Sequence, residues 1–192
     1  MTVNCISAFP SPILQFGVDG FPDQRDQIIR SIYSIKETTE SVSYSNEGGW
    51  QSPKQDPTPH ILFKTVNSIM TQFLNEELQY SVGNVWFNVN SEGSFNHKHT
   101  HPCCDLAAVF YVKVPEGDCG RLEVENPNYF NQVKLLDAMK PDIKENMIAF
   151  TSMWLNPVEG CGFIFPSHLT HRVSKNNTKE DRISISWNMH VN

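Results

Sequence analysis

The sequence predicts a mainly β protein with N-terminal helices packed on one outer face of a strand sandwich or barrel. Two observations support this fold class. Helical periodicity is confined to the first 80 residues, and short β-branched and aromatic segments separated by Gly, Pro and Asn follow it. The 192 residues, 39% of them hydrophobic, suffice for one core, and no repeat or linker divides them. We therefore predict a single domain over 1–192, with a helical and loop support region at 1–80 and a β core at 81–192.

Two N-terminal segments have the spacing of amphipathic helices. In 22–38, Ile28, Ile32 and Ile35 fall on one side of the predicted helix. In 58–79, apolar residues recur at three- and four-residue steps, the clearest helical pattern in the chain. Both segments should bury one face against the sheet.

The segment between these helices, SNEGGWQSPKQDPTP at 45–59, is rich in turn formers and predicts a loop. Its length and composition suit either a lid over a binding site or a structural loop. If it is a lid, Trp50 is the residue expected to pack over the mouth.

Seven strands are predicted after residue 80, because short β-branched and aromatic runs alternate there with turn residues. Side chains alternate between the two faces of a strand, so about half of the aromatic residues should face the helices. The predicted strands are 82–90, 106–114, 120–125, 132–136, 147–154, 162–165 and 182–191.

Charge and composition exclude several partners. The net charge is -6 and no stretch is rich in Lys and Arg, so a nucleic-acid groove is not expected. No apolar run approaches the roughly 20 residues that span a bilayer, so no membrane partner is expected. Five cysteines without a C-x-x-C pair favour a reducing setting, which predicts a cytoplasmic protein. Exposed edge strands would allow a homodimer.

The stretch FNHKHTHP at 95–102 places three histidines at alternating positions. In a strand, His97, His99 and His101 would share a face, with Cα atoms about 6–7 Å apart. Two neighbours can then reach one ion, and all three can do so if the strand bends. The pattern predicts a metal site.

A metal site of this kind needs a further ligand from elsewhere in the chain. His171 is the best candidate, since it follows a predicted buried strand and the turn that Pro166 starts. His168 is the nearby competitor. Imidazole suits Zn, Cu, Fe and Ni, so ligand type alone does not choose the metal.

Arg182 begins the last predicted strand, and Ser184 lies two residues on, on the same face. A guanidinium beside a hydroxyl inside a β-barrel can hold a carboxylate through paired hydrogen bonds. A surface ion pair is the alternative for Arg182.

The chain resembles the Fe(II)- and 2-oxoglutarate-dependent oxygenases in the order of four features. They are the H-x-H motif, the Gly-rich turn, FPSHLTH and RISISWN. The likeness is greatest to a branch of small oxygenases found in phages and marine bacteria. Its members share the patterns seen here as SNEGGW at 45–50, HTHP at 99–102 and VFYVKVPEGDCGRLEVENP at 109–127. The resemblance covers residues 45–192.

The resemblance implies a double-stranded β-helix, a jelly-roll and cupin-like core with its metal at the open mouth. It implies that His99 and His171 bind iron and that Arg182 grips the far carboxylate of 2-oxoglutarate. Further positions that it implies around the cosubstrate and the cavity are Ser184, Tyr111 and Asn88, together with Trp86 and Asn188.

The chain departs from the wider superfamily at one ligand position. The usual motif is H-x-D or H-x-E, whereas His101 stands at its third position here. We favour a site of His99, His101 and His171, with His97 as a supporting group or substrate contact. Asp105 and Glu123 are the alternative carboxylate ligands, and His97 is the alternative imidazole.

The function that the resemblance implies is hydroxylation of a small-molecule or peptide substrate, with decarboxylation of 2-oxoglutarate to succinate and ascorbate as a candidate reductant. A phage-encoded member would act in the host cytoplasm. Two alternatives remain at this point. One is a cupin-like isomerase, lyase or hydrolase that uses zinc or nickel, and the other is a non-catalytic jelly-roll binding or virion protein.

Overall fold

The computed structural model of this chain describes residue 9 and residues 11–56, 60–75, 79–128, 134–148 and 150–192. Its strands are β1 (Leu14–Gly17), β2 (Asn46–Glu47), β3 (Trp50–Gln51), β4 (Tyr80–Asn90), β5 (Phe95–His99), β6 (Leu106–Lys113), β7 (Leu122–Glu125), β8 (Ser152–Leu155), β9 (Cys161–Pro166), β10 (His171–Val173) and β11 (Arg182–Val191). Its helices are α1 (Phe21–Thr38), α2 (His60–Phe73), α3 (Lys134–Ala138) and α4 (Pro141–Met147).

The strands form two antiparallel sheets. The larger, which we call the major sheet, has the order β1-β9-β6-β11-β4-β3, and the minor sheet has the order β2-β5-β10-β7-β8. Residues of both sheets line one cavity, and a second apolar cluster joins the sheets through Phe163, Phe165 and Leu122. This is the predicted double-stranded β-helix, and the prediction of the fold class is confirmed.

Side-chain alternation in β11 gives the major sheet two different faces. Ile183, Ile185, Trp187 and Met189 belong to the large apolar core, whereas Arg182, Ser184, Ser186 and Asn188 line the cavity. The neighbouring β4 alternates in register with β11, with Val85, Phe87 and Val89 in the core and Trp86, Asn88 and Asn90 on the cavity. Core residues and cavity residues therefore alternate along each of these strands.

The helices α1 and α2 cover the apolar face of the major sheet, as predicted. Phe21 and Ile32 of α1 and Leu62, Val66 and Met70 of α2 are buried in the same cluster as the strand residues. α1 begins one residue before the predicted helix, and α2 ends at Phe73, short of the predicted residue 79. Residues 57–59 and 76–78 lie outside the described residues.

A short segment at 46–51 connects the two sheets at one side. β2 pairs with β5 of the minor sheet, and β3 pairs with β4 of the major sheet. Gly48 lies between them with φ +70°, a left-handed conformation that glycine adopts without strain. Gly49 packs so closely that a Cβ there would lie 3.1 Å from Nδ2 of Asn90.

Two predicted strands were assigned wrongly in part. Residues 134–136 of the predicted strand 132–136 belong to α3, and residues 132 and 133 lie outside the described residues. Within the predicted strand 147–154, Met147 ends α4, residue 149 lies outside the described residues, and the strand found is β8 from Ser152. Short apolar runs do not distinguish strand from helix by periodicity. The short strands β1, β2, β3 and β10 were not predicted.

None of the helices in the part of the chain that is described has both the length and the apolar character that crossing a bilayer requires.

Replacing Trp187 with Ala should lower the free energy of unfolding by about 3–5 kcal/mol, because the indole is fully buried in the large core. Guanidinium unfolding followed by circular dichroism measures this change. Tyr44→Ala is the control, since the Tyr44 side chain is 73% exposed and its loss should cost little. Equal effects of the two substitutions would contradict the assigned core.

Candidate active site

A cavity of about 910 Å³ lies between the two sheets. The cavity-facing side chains of β4, β6 and β11 form one wall, and residues of β5, β10 and the turn after β5 form the other. The cavity has the size of a small-molecule site. It contains both the predicted metal ligands and Arg182.

Three histidines meet at this cavity. His99 of β5 and His171 of β10 are direct partners in the antiparallel ladder, and His101 lies in the turn that follows β5. The backbone N–H of His101 donates to the carbonyl oxygen of Ser167 over 3.0 Å, which fixes that turn. Each histidine offers one ring nitrogen, and these nitrogens lie within 4.8 Å of one another.

The backbone sets the tautomer of two of these rings. Nδ1 of His99 lies 2.8 Å from the carbonyl oxygen of His97, and Nδ1 of His171 lies 2.8 Å from that of Leu169. A carbonyl oxygen only accepts, so each Nδ1 carries the proton and each Nε2 presents a lone pair. Nε2 of His101 and Nε2 of His171 are 3.2 Å apart. This donor set fits a metal ion held by Nε2 atoms.

All three imidazoles are neutral near neutral pH. Burial, followed by the neighbouring charge of His99, lowers the pKa of His171 to about 3 and that of His101 to about 4. Burial also lowers the pKa of His99, and its bond to the His97 carbonyl partly opposes this. Metals bind the neutral form, so the site is ready for an ion without prior loss of protons.

Aromatic rings support two of the histidines. Trp86 of β4 stacks on His101 with ring centroids 5.7 Å apart, and Phe165 of β9 meets His171 edge-on at 4.9 Å. Trp86 and Asn188 both line the cavity, and their contact with a substrate stays a prediction.

The alternative ligands of the sequence analysis face elsewhere. Oδ2 of Asp105 accepts from the backbone N–H of Val191 over 2.8 Å, and Glu123 forms an ion pair with Arg172. Neither carboxylate lines the cavity. His97 lies at the cavity rim, exposed, with its Nε2 3.6 Å from the carboxylate of Glu47. The alternative in the distal position, His168, is also exposed.

Arg182 is buried inside the β core, with 2% of its surface exposed. Its Nη1 donates to the carbonyl oxygens of Cys119 at 3.0 Å and Gly120 at 3.2 Å. Its Nε has no hydrogen-bond partner, and no carboxylate among the described residues lies within ion-pair distance. Burial lowers the pKa of Arg182, but the guanidinium keeps its charge near neutral pH because arginine is not deprotonated in proteins. A buried cation of this kind is costly unless an anion pairs with it, and the described residues supply none.

Polar side chains surround Arg182 on the cavity wall. Ser184 stands opposite Tyr111 of β6 on one side and opposite Asn88 of β4 on the other. Burial raises the pKa of Tyr111 to about 12, although the charge of Arg182 opposes this rise, so the phenol keeps its proton and can donate. Nδ2 of Asn88 donates to Oγ of Ser186 over 3.2 Å.

The carbonyls of Cys119 and Gly120 were not predicted from the sequence to contact Arg182. Gly120 has φ +87°, and an added Cβ would lie 2.8 Å from Nη1 of Arg182. The Gly in the DCGR turn is the one sequence signal of this close approach. The buried amide Asn90, which also lines the cavity, was likewise missed.

Trp50 packs in the core and not over the mouth of the cavity, where a lid residue would lie. Its ring is 8% exposed and packs in the helix-side core, and its Nε1 donates to the carbonyl oxygen of Thr39 over 3.2 Å. Side-chain alternation explains this, because neighbouring Gln51 takes the cavity face instead. The rest of the 45–54 segment does border the cavity through Ser45, Ser52 and Lys54.

The sequence of residues 84–188 matches the model of the family described as "Putative 2OG-Fe(II) oxygenase". The chain belongs to this family. The predicted resemblance is confirmed, and Fe(II) and 2-oxoglutarate are the metal and cosubstrate of this oxygenase. The narrower likeness to phage and marine-bacterial members stays a prediction.

Solved structures of similar fold include several enzymes of this kind. A Pseudomonas putida prolyl-4-hydroxylase is 14% identical, with a TM-score of 0.62 over 94% of this chain and 93% of its own. The viral collagen prolyl hydroxylase of Paramecium bursaria Chlorella virus-1, in complex with 2OG, is 16% identical, with a TM-score of 0.57 over 93% and 96%. HygX of Streptomyces hygroscopicus, with nickel and 2-oxoglutarate bound, is 12% identical, with a TM-score of 0.61 over 94% and 83%. No curated protein sequence matches the chain.

Acidification should destabilise the metal-free oxygenase. The folded pKa values of His101 and His171 lie below the unfolded value of 6.5, so the unfolded state takes up protons first as the pH falls. Stability from these groups is complete above pH 6.5 and decreases below it, by up to about 1.4 kcal/mol per pH unit for each histidine. Urea unfolding between pH 7 and 5 measures the slope. His171→Asn should flatten it and His168→Asn should not, and a flat wild-type profile would contradict the burial of the triad.

Gly120→Ala should displace Arg182 and destabilise the fold, because the new methyl meets both Nη1 of Arg182 and the carbonyl oxygen of Ser174. Gly93→Ala is a matched control, since Gly93 has φ +84° and open space around a Cβ. Both variants bear the backbone strain of a left-handed alanine, about 1–2 kcal/mol. Only Gly120→Ala should also weaken 2-oxoglutarate binding, measured by calorimetric titration. Identical losses in both variants would contradict a role for the Gly120 turn in placing Arg182.

Proposed function

We propose that this oxygenase hydroxylates a small-molecule or peptide substrate with His99, His101 and His171 as the iron ligands. In this proposal Arg182 anchors the carboxylate of 2-oxoglutarate that lies away from the iron. The main observation in favour of this proposal is that Arg182 is buried on the cavity wall. No carboxylate of the described residues offsets its charge. The three imidazoles on the same cavity, of which His99 and His171 present Nε2, supply the other half of the argument.

The residues present fit both bound groups. Three neutral nitrogen donors suit a divalent first-row metal such as Fe(II), and the unpartnered Nε of Arg182 suits a carboxylate oxygen. When bound, Fe(II) and 2-oxoglutarate would supply the oxidising chemistry, in which O₂ is consumed, 2-oxoglutarate becomes succinate and CO₂, and the substrate gains a hydroxyl group.

The chain itself positions the cosubstrate and shields it from water. Arg182 and Ser184 donate to the distal carboxylate, and the protonated phenol of Tyr111 adds a third donor from the next strand. Asn88, tied to Ser186, completes the wall beside them. Trp86 and Asn188 lie further along the same wall and face the substrate.

The separation of Arg182 from the histidine triad along the major sheet leaves room for both the metal ion and 2-oxoglutarate. Arg182 starts β11, whereas Trp86, which stacks on His101, pairs with Ser186 four residues further on. At about 3.3 Å per residue, these positions lie about 13 Å apart along the strand. The cosubstrate would lie between Arg182 and the triad.

The alternative functions leave Arg182 without a role. A zinc or nickel isomerase, lyase or hydrolase needs the histidines but no buried guanidinium, and a virion or binding protein needs neither. A buried charge is costly unless something pairs with it. A dicarboxylate cosubstrate explains why Arg182 is retained.

Solved structures of similar fold include one enzyme named for a protein substrate and one with a small molecule bound. One acts on collagen as a prolyl hydroxylase, and HygX is also known with hygromycin B bound. We extend to this chain only the broader class, a small molecule or a peptide.

The setting and assembly of the enzyme are also proposals. The four described cysteines are unpaired, which suits the reducing cytoplasm, of the host if the gene is carried by a phage. Residues 1–192 act as one domain, in which 1–80 supports the core at 81–192. A homodimer through an edge strand stays a prediction.

Two substitutions should separate metal binding from cosubstrate binding. His101→Ala should reduce the bound iron, measured by elemental analysis after anaerobic loading. Arg182→Met should keep the iron but weaken 2-oxoglutarate binding by about 10- to 150-fold, the usual worth of hydrogen bonds to a charged group. Anaerobic absorbance titration of the Fe(II)-loaded protein with 2-oxoglutarate measures the second effect.

The matched controls are His168→Ala and Arg30→Met, because both side chains are exposed and lie away from the cavity. Neither control should change iron content or 2-oxoglutarate affinity. An Arg182→Met protein that binds 2-oxoglutarate like wild type would overturn the proposed anchor. Full iron content in His101→Ala would remove His101 from the ligand set.

A further inference from the structure

The cavity differs in charge from the rest of the molecule. The chain carries 21 Asp and Glu against 15 Lys and Arg, yet no Asp or Glu is among the described residues that line the cavity. The lining includes three basic residues, Lys54, Lys98 and Arg182. Among the described residues, the acidic side chains of this protein thus lie outside the cavity between the sheets.

The two lysines differ in how far their charges are offset. Lys98 forms an ion pair with Glu125, which does not line the cavity. Lys54 is exposed and has no ion pair within the described part of the chain. Lys54 is therefore the uncompensated cation of the cavity mouth.

The ligand set leaves further positive charge at the centre. This step rests on the proposed function. Three imidazoles contribute no negative charge, so the two charges of 2-oxoglutarate offset those of Fe(II), and the charge of Arg182 remains. With a carboxylate in place of His101, the charges of Fe(II), its ligands, 2-oxoglutarate and Arg182 would sum to zero. The loaded cavity of this chain stays cationic.

The remaining polar side chains of the cavity are neutral and rich in hydrogen-bond donors. They are side-chain amides of Asn and Gln and hydroxyls of Ser, Thr and Tyr, beside the imidazoles already described. Amide N–H and hydroxyl groups can donate to an anionic oxygen. Glu47, which is 63% exposed, contacts His97 of the cavity rim but does not line the cavity itself.

We propose that the substrate of this oxygenase carries an acidic group, a carboxylate or a phosphate, and that Lys54 attracts this group into the cavity. Lys54 touches no reacting atom and determines specificity by charge alone. A cationic substrate is disfavoured by Lys54 and by the loaded centre. The same field raises the local concentration of any anion at the mouth.

Collisional quenching of Trp86 tests the charge of the cavity without a known substrate. Trp86 lines the cavity, whereas Trp50 and Trp187 are 8% and 0% exposed. Trp154, which is 40% exposed on the outer face of the minor sheet, is removed as Trp154→Phe. The full chain is loaded with Zn(II) and 2-oxoglutarate, and iodide, caesium and neutral acrylamide are compared as quenchers at constant ionic strength.

Iodide should quench several-fold more than caesium, after both are normalised to acrylamide. Lys54→Glu should lower the iodide-to-caesium ratio by about fivefold, as expected for a charge at short range in water. Lys179→Glu is the control, an exposed lysine away from the cavity, and should leave the ratio unchanged. Equal quenching by iodide and caesium, or equal effects of the two substitutions, would overturn the proposal. A variant that also carries Trp86→Phe should lose the quenchable fluorescence, which assigns that signal to Trp86.

Competition distinguishes the two acidic groups. Acetate or inorganic phosphate is added at fixed ionic strength, and the one that protects Trp86 from iodide in wild type but not in Lys54→Glu identifies the class. Protection by neither would overturn an anion site. Calorimetric titration of the same samples with Zn(II) and 2-oxoglutarate keeps the two proposals apart. Failure to bind these ligands counts against the proposed function, while the effect of Lys54→Glu is still measurable in the metal-free protein.

Discussion

The burial of Arg182 is the constraint on which the rest of the site depends. Its guanidinium is held by the carbonyl oxygens of Cys119 and Gly120, and no carboxylate of the described residues pairs with it. Two carbonyl dipoles offset only part of the cost of removing a cation from water. The fold therefore carries an unfavourable term that a bound dicarboxylate would relieve. Saturating 2-oxoglutarate should accordingly act as a structural ligand of the β core as well as a reactant.

The last strand joins stability and chemistry in one segment. Ile183, Ile185 and Trp187 fill the core under the helices, while the alternate residues line the cavity. A shift of one residue in register would exchange the two sets, so the ladders with β4 and β6 specify both at once. The same reasoning applies to the ladder between β5 and β10, which brings His99 opposite His171 across 72 residues of sequence. Site geometry is thus a consequence of strand pairing.

Much of this arrangement could be predicted from the sequence because its signals have a period of two. The H-x-H motif and the R-x-S motif each placed two side chains on one face, and the structure puts these residues on one cavity. The backbone carbonyls around Arg182 were missed, since a carbonyl has no residue-type signature. Trp50 was expected at the mouth only if the 45–59 loop is a lid, and side-chain alternation places it in the core instead. The α3–α4 region was misassigned because its apolar runs are too short to show a period.

The crossover at 46–51 has a consequence for the range of molecules that the enzyme can accept. Since β2 belongs to the minor sheet and β3 to the major sheet, six residues tether the sheets on that side of the opening. Gly48 and Gly49 let this tether turn tightly against Asn90 and Ser94. The gap between the sheets is thereby limited by chain length, and the girth of an entering molecule is limited with it. A longer tether would relax this limit without changing the β5–β10 ladder that pairs His99 with His171.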